Sequence, residues 1–294
     1  MEDIYNRLNT MSLFTHEQIS SHLIRIREAS FTAVYLVLGD DKVVLVDTGV
    51  GLGSLRSYVK NICQRPVDMV VLTHGHLDHA SGVSEFANVP VYLNPKDKDL
   101  MRQHSDITKR LDYTARGWRQ MGKEPLAFEE KDIIPAYDPE KTLPLLDGQK
   151  FDLGGITIEA VHTPGHTQGM TMLLFPEERT ILFGDGCGVG VLLVEDCCST
   201  VEVYQEGLYR VKAYEPRYDR IIRNHGTCES SKELLDNVIA VCDDILTGKD
   251  DHIPAKAPIA CDFPVYMAKA ALPGTQTRID GKEGNILYAE NKVR

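Results

Sequence analysis

No uninterrupted apolar run in this chain approaches the roughly 20 residues that a membrane-crossing helix requires. Charged or polar residues also punctuate Met1 to Ser30, which leaves no signal-peptide core, so a cytoplasmic protein without a membrane partner is expected. Positive charge is scarce. Lys and Arg number 32 against 43 Asp and Glu, a formal net charge of −11, and nucleic-acid binding draws most of its affinity from basic side chains neutralising phosphates. Nucleic acid is therefore not an expected partner. The seven cysteines are an odd set without a repeated CxxC spacing, which argues for reduced thiols rather than a disulfide framework.

With 294 residues and 43% hydrophobic content, the chain can build one large layered domain or two small ones, and a single domain spanning 1–294 is expected. Two β-rich halves are legible, each with buried strands that end in a short polar motif. Val43 to Val46 leads into Asp47-Thr48-Gly49, and Met69 to Leu72 leads into Thr73-His74-Gly75-His76. Further on, Ile156 to Val161 leads into His162-Thr163-Pro164-Gly165-His166, Thr180 to Phe183 into Gly184-Asp185-Gly186, and Arg220 to Arg223 into Asn224-His225-Gly226. Short apolar runs bounded by Gly and Pro read as buried strands, and side chains at their ends are held rigidly where chemistry is usually placed.

Helices are expected over Gly53 to Cys63, Val203 to Ala213 and Ser231 to Leu246, the last from an apolar stripe at three- and four-residue intervals. The charged stretch Asp97 to Glu130 reads as a helical insertion around 97–130; a lid over a pocket, a solvated connector or a homodimer contact all suit it. Residues 258–294 are expected to pack as an extension on the domain surface.

The centre of the sequence is His74-Gly75-His76-Leu77-Asp78-His79, which places three of the ten histidines and a carboxylate within six positions. Neutral imidazoles and carboxylates bind borderline metals such as zinc, and catalytic sites keep a position open for water. His74 and His76, two apart on an extended strand end, point the same way. The remaining ligands must come from elsewhere, and His166, Asp185 and His225 each follow a buried strand.

The set HGHLDH, TPGHTQG, FGDG and NHG, in that order from Ile24 to Leu246, resembles the metallo-β-lactamase superfamily. The resemblance implies an α+β fold, a four-layer αββα sandwich. It also implies that His74, His76 and His166 hold one metal, that Asp78, His79 and His225 hold a second, and that Asp185 bridges them. Two zinc ions are expected, with iron or manganese as alternatives. A carboxylate bridge keeps such ions roughly 3.5–4 Å apart, close enough to share a hydroxide. Asp78 and Asp185 are the catalytic candidates for moving a proton to the leaving group.

Asp47 is expected to support an imidazole ligand from behind, as the matching Asp does in similar proteins, and Thr163 and Thr167 to fix the loop around His166. His162 is assigned to the strand rather than to metal, and His16, His22, His104 and His252 to ordinary roles. Cys187 reads as a small apolar filler. Similar lactone hydrolases carry a substrate-orienting Tyr three positions after the bridging Asp, where this chain has Gly188; Tyr204 is the candidate substitute. The expected function is hydrolysis of a small carboxylic ester, thioester or lactone. An iron-dependent sulfur dioxygenase and a phosphodiesterase or RNA-processing nuclease are the alternatives within the same resemblance.

Overall fold

The computed structural model describes residues 13–120, 133–257 and 261–294. These divide into two compact units, the first comprising residues up to Leu145 with Phe151–Thr157, the second Leu146–Lys150 with Ile158–Arg294.

In chain order, the first unit contains strands β1 (Phe14–Gln18), β2 (Leu23–Glu28), β3 (Ala33–Leu38) and β4 (Val43–Val46), helix α1 (Leu55–Cys63), strand β5 (Met69–Val71), the short helix α2 (Leu77–Ala80), strand β6 (Val91–Leu93), helices α3 (Lys98–His104) and α4 (Ile107–Gln120), and strand β7 (Leu143–Pro144). The strands form one sheet in sequence order. β1 to β4 pair antiparallel, whereas β4 to β7 are parallel neighbours. Every residue of β4 is buried, in keeping with its unbroken Val-Val-Leu-Val run. Helix α1 starts at Leu55 rather than Gly53, because Ser54 caps it by accepting from the Ser57 N–H. The polar motifs of Asp47 and His74 follow β4 and β5, at the carboxyl ends of adjacent parallel strands, where open α/β sheets place their ligands.

The expected insertion is helical where it is described, as α3 and α4; its remainder, 121–130, lies outside the described residues. Gly117 does not interrupt α4. A Cβ there would sit 2.5 Å from the Phe31 ring, so the missing side chain admits that ring against the helix.

The chain continues with β8 (Lys150–Asp152), most of which counts with the first unit, and the second unit then holds β9 (Thr157–His162) from Ile158 on, β10 (Thr171–Phe175), β11 (Thr180–Leu182), β12 (Gly190–Leu193), α5 (Val201–Lys212), β13 (Arg220–Ile222), β14 (Glu229–Ser230), α6 (Leu234–Thr247), β15 (Ile253–Ala255), β16 (Val265–Met267) and β17 (Asn285–Ala289). One sheet runs β14-β13-β11-β10-β9-β8 and another β12-β17-β16-β15. β9, β10 and β11 are successive antiparallel neighbours and β11 is parallel to β13. The ends of β9, β11 and β13 therefore share one edge, which collects the motifs of His166, Asp185 and His225.

Helices α5 and α6 bury Tyr204, Leu208, Val211, Leu235, Val238 and Cys242 in one core with Met172, Leu174 and Phe183. Helix α5 begins two residues before the expected Val203, because Thr200 provides its cap. The C-terminal segment corrects its expectation. Its last strand is not laid on the surface: β17 is buried at all five positions and pairs parallel to β12, while Phe263, Leu272 and Ile279 before it are exposed. The run Ile286-Leu287-Tyr288-Ala289 has apolar side chains for both faces of that sheet.

Candidate metal centre

In the first unit, His74, His76, Asp78 and His79 gather beyond β5, all buried. The His74 ring lies 4.8 Å from that of His76 and 4.1 Å from that of His79, centroid to centroid. Asp78 Oδ2 is 3.6 Å from His79 Nε2. Gly75 permits the tight approach: its N–H donates to Asp97 Oδ2 at 3.0 Å, and a Cβ would lie 2.7 Å from the Asp97 carbonyl oxygen.

Hydrogen bonding decides which ring nitrogens carry protons. His79 Nδ1 lies 2.9 Å from Asp47 Oδ2, both side chains fully buried. A carboxylate can only accept, so Nδ1 carries the proton and Nε2 of the neutral ring presents a lone pair. Asp47 also accepts from the Thr73 N–H at 2.8 Å and from Thr73 Oγ1 at 2.8 Å. Because that hydroxyl proton is committed to Asp47, Thr73 Oγ1 accepts from His74 Nδ1 at 3.0 Å. His74 Nε2 is then a lone pair as well, facing His76 Nδ1 at 3.1 Å. One buried carboxylate thus sets two imidazole tautomers, as expected of groups that orient metal-binding histidines. Asp47 does this with φ of 61°, a left-handed backbone that Asp tolerates better than most residues.

The loop behind these residues is held by two buried charged groups that the sequence did not single out. Glu28 accepts from the Val50 N–H at 2.9 Å and from Ser30 Oγ, and a Cβ on Gly49, whose φ is 70°, would meet its carboxyl at 2.5 Å. Arg110, fully buried on α4, donates to the carbonyls of Val50 and Ile134, both at 2.8 Å. Burial pushes the Glu28 carboxyl from an ordinary 4.5 up to about 7, with the nearby Asp78 charge raising it further against its hydrogen bonds. The native state therefore holds a proton there that the unfolded chain has released. Stability is expected to fall as pH rises from 4.5 to about 7, by up to about 3 kcal/mol. Urea unfolding at pH 5 and pH 7.5 measures the slope. Glu28→Gln should flatten it, and an equal slope in that variant would remove Glu28 as its source.

In the second unit, His166, Asp185 and His225 gather at the shared sheet edge. His166 Nε2 and His225 Nε2 lie 3.7 Å and 3.2 Å from the same oxygen, Asp185 Oδ2. His166 Nδ1 is 3.1 Å from the Leu192 carbonyl, which only accepts, so Nδ1 donates and, in the neutral ring, Nε2 keeps its lone pair, turned toward a carboxylate. Arg223 secures the turn carrying His225, donating to the His225 carbonyl at 3.1 Å, to Thr227 Oγ1 at 3.0 Å and to Ser230 Oγ at 2.8 Å. Thr163 Oγ1 donates to the Val161 carbonyl at 3.1 Å, while the Thr167 carbonyl accepts from Gly165 at 3.0 Å. Gly165 is needed where it stands, since a Cβ would lie 2.2 Å from the Tyr204 ring.

Two sequence readings change. Tyr204 is not placed to orient a substrate: it is fully buried and its hydroxyl donates to the Gly186 carbonyl at 2.7 Å. His104 is more than an ordinary residue, because its ring stacks on His76 at 5.0 Å between centroids. His162 stays with the strand, its Nε2 2.9 Å from the Gln168 carbonyl. Burial pushes the Cys187 thiol up to about 12, which keeps it neutral and unreactive. Sequence reading missed Thr73, Thr32 and Tyr113. Thr73, beside the histidine motif, was the nearest to a signal; the other two touch Asp78 from far along the chain.

Each unit thus turns imidazole lone pairs toward another ring nitrogen or toward a carboxylate. Such clustered lone pairs and carboxylates suit a cation, and the residue types are those that bind a borderline divalent metal. A family model described as the metallo-beta-lactamase superfamily matches residues 27–237. The chain belongs to the metallo-β-lactamase superfamily. Its fold is the α+β fold of that superfamily: a metallo-beta-lactamase from Pontibacter korlensis superposes with a TM-score of 0.54 at 17% identity, covering 77% of this chain and 97% of the other.

Among relatives of this superfamily member, the human "Acyl-coenzyme A thioesterase MBLAC2" is 26% identical over 249 residues, covering 78% of this chain and 79% of its own. The "Atrochrysone carboxyl ACP thioesterase nsrC" of Aspergillus novofumigatus is 28% identical over 196 residues, covering 63% of this chain and 49% of its own. The chain is an enzyme of the metallo-hydrolase class. None of its helices among the described residues is long and apolar enough to cross a membrane.

Proposed function

We propose that this enzyme hydrolyses acyl thioesters carried on coenzyme A or a carrier protein, with two zinc ions held by His74, His76 and His166 and by Asp78, His79 and His225, and with Asp185 shared between them. The observation that carries the metal reading is the direction of the lone pairs. His74 Nε2, His79 Nε2 and His166 Nε2 are each made acceptors by a partner on the opposite ring nitrogen. Two relatives named as thioesterases support the substrate reading. A bound pair of divalent cations would supply Lewis acidity toward the scissile carbonyl and a water acidified to near neutrality.

The chain's own residues do the rest. Asp47 and Thr73 hold two imidazoles in the one tautomer that leaves a ligand nitrogen exposed. Asp78 and Asp185 are the carboxylates that take the proton from the attacking water and return it to the leaving sulfur. A thiolate is a better leaving group than an alkoxide, since thiols ionise near pH 8.5, so a single weak acid suffices.

The test is metal content of the purified protein together with thiol release from a panel of acyl-CoA and acyl-pantetheine thioesters. Two zinc ions per chain, and turnover that a chelator abolishes and zinc restores, are expected. One iron per chain with oxygen consumption, or no thiol release by the zinc-loaded enzyme, overturns the reading.

A further inference from the structure

Helix α4 belongs to the expected insertion, yet two of its side chains reach the metal-binding half of the first unit. Arg110 and Tyr113, three apart, lie on one face of the helix. Arg110 clamps the main chain at Val50 and Gly51. Tyr113 donates its hydroxyl to Asp78 Oδ2 at 2.6 Å, and Thr32 Oγ1 from the end of the β2–β3 turn donates to the same oxygen at 2.9 Å. Asp78 is buried, so its carboxyl orientation is set by these donors rather than by bulk water.

We infer that Tyr113 is a positioning residue of the metal centre, fixing the Asp78 carboxylate for the cation it serves; this rests on the metal reading above. A carboxylate held by two hydroxyls has little freedom to rotate about its last bond, so its ligand oxygen is oriented before the metal arrives. Loss of one donor lets the group turn, and the orienting cost is then met on binding. Hydrogen-bond partners of metal ligands are commonly worth about 10–100-fold in metal affinity. Helix α4 is therefore a component of the site. The Tyr113 ring and Leu111 pack against the apolar cluster of Val50, Leu52, Leu77 and Ile133, while Arg110 anchors the helix independently of the phenol.

That separation makes the inference testable with Tyr113→Phe, which keeps the ring and removes the hydroxyl. Zinc affinities of the full chain are measured by competition with a chromophoric chelator, the cobalt-substituted protein is examined by absorption, and thioester kinetics are recorded. Tyr113→Phe is expected to weaken one of the two ions about 10-fold or more while leaving the other, to shift the cobalt bands, and to lower kcat with little change in KM. Leu111→Ala loosens the helix packing without touching the hydroxyl; it should lower the melting temperature and leave zinc affinity unchanged.

Wild-type zinc affinities and cobalt bands in Tyr113→Phe overturn the inference. So does equal weakening of zinc by Leu111→Ala, which would make the effect one of packing. A wild-type chain that binds no metal overturns both this inference and the metal reading. One that binds zinc but cleaves no thioester overturns only the substrate assignment, and the affinity comparison still decides the role of Tyr113.

Discussion

Replacing Asp185 by Ala is expected to lower kcat/KM for thioester hydrolysis by at least about 1,000-fold, equivalent to roughly 4 kcal/mol of transition-state stabilisation. In the second unit this carboxylate is the group that both His166 and His225 approach, at 3.7 Å and 3.2 Å. Without it, the two imidazole nitrogens lose the anion they face, and the proposed mechanism loses one of the two carboxylates it assigns to proton transfer. The fold should survive. Asp185 lies at a sheet edge beyond β11 and is partly accessible, so little packing is lost. Metal content and kinetics measured side by side check the prediction: a variant that retains both zinc ions and wild-type turnover would show that the residue neither bridges metals nor relays protons.

Asp47→Ala is expected to act on stability and metal binding together. The carboxylate is fully buried and accepts from His79 Nδ1, the Thr73 N–H and Thr73 Oγ1. Truncation strands three buried donors, each costing about 1–3 kcal/mol if nothing replaces the acceptor. With partial relaxation, a loss of about 3 kcal/mol is expected. It also frees His79 and His74 to adopt the tautomer that points a proton at the metal, which should weaken zinc about 10–100-fold. Asp47→Asn keeps one carbonyl acceptor and should lose less stability, but its amide cannot accept from both Thr73 and His79. Chemical denaturation of the metal-free protein and zinc competition separate the two effects. Unchanged zinc affinity in both variants would reduce Asp47 to a structural acceptor.

The strands that lead into the polar motifs were legible because their signals are local. Val43 to Val46 and Thr180 to Leu182 are short apolar runs whose ends coincide with Gly-containing polar motifs, and the structure places them within a residue of the expected limits. Helix starts were less legible, since a cap such as Ser54 or Thr200 defines the boundary only through a hydrogen bond to a backbone N–H. The C-terminal strand was missed for a different reason. Asn285 to Ala289 pairs with β12, nearly a hundred residues earlier, and no local pattern announces a partner at that distance. Glu28 and Arg110 were passed over because charged residues are normally exposed; here each is buried against the main chain around Val50, which no composition rule anticipates.

What the sequence determined by itself is the inventory of donors and the strand ends that carry them, because the identity of a side chain and the apolar run before it are both written locally. What only the tertiary structure decided is which atom of each donor is available. The proton on His166 Nδ1 follows from the Leu192 carbonyl, that on His79 Nδ1 from Asp47, and the orientation of Asp78 from Thr32 and Tyr113. All four of these partners lie more than 25 residues from the group they touch, and one is a backbone oxygen that any residue could have supplied. Metal chemistry depends on lone-pair direction, and lone-pair direction is set by neighbours that only folding brings together.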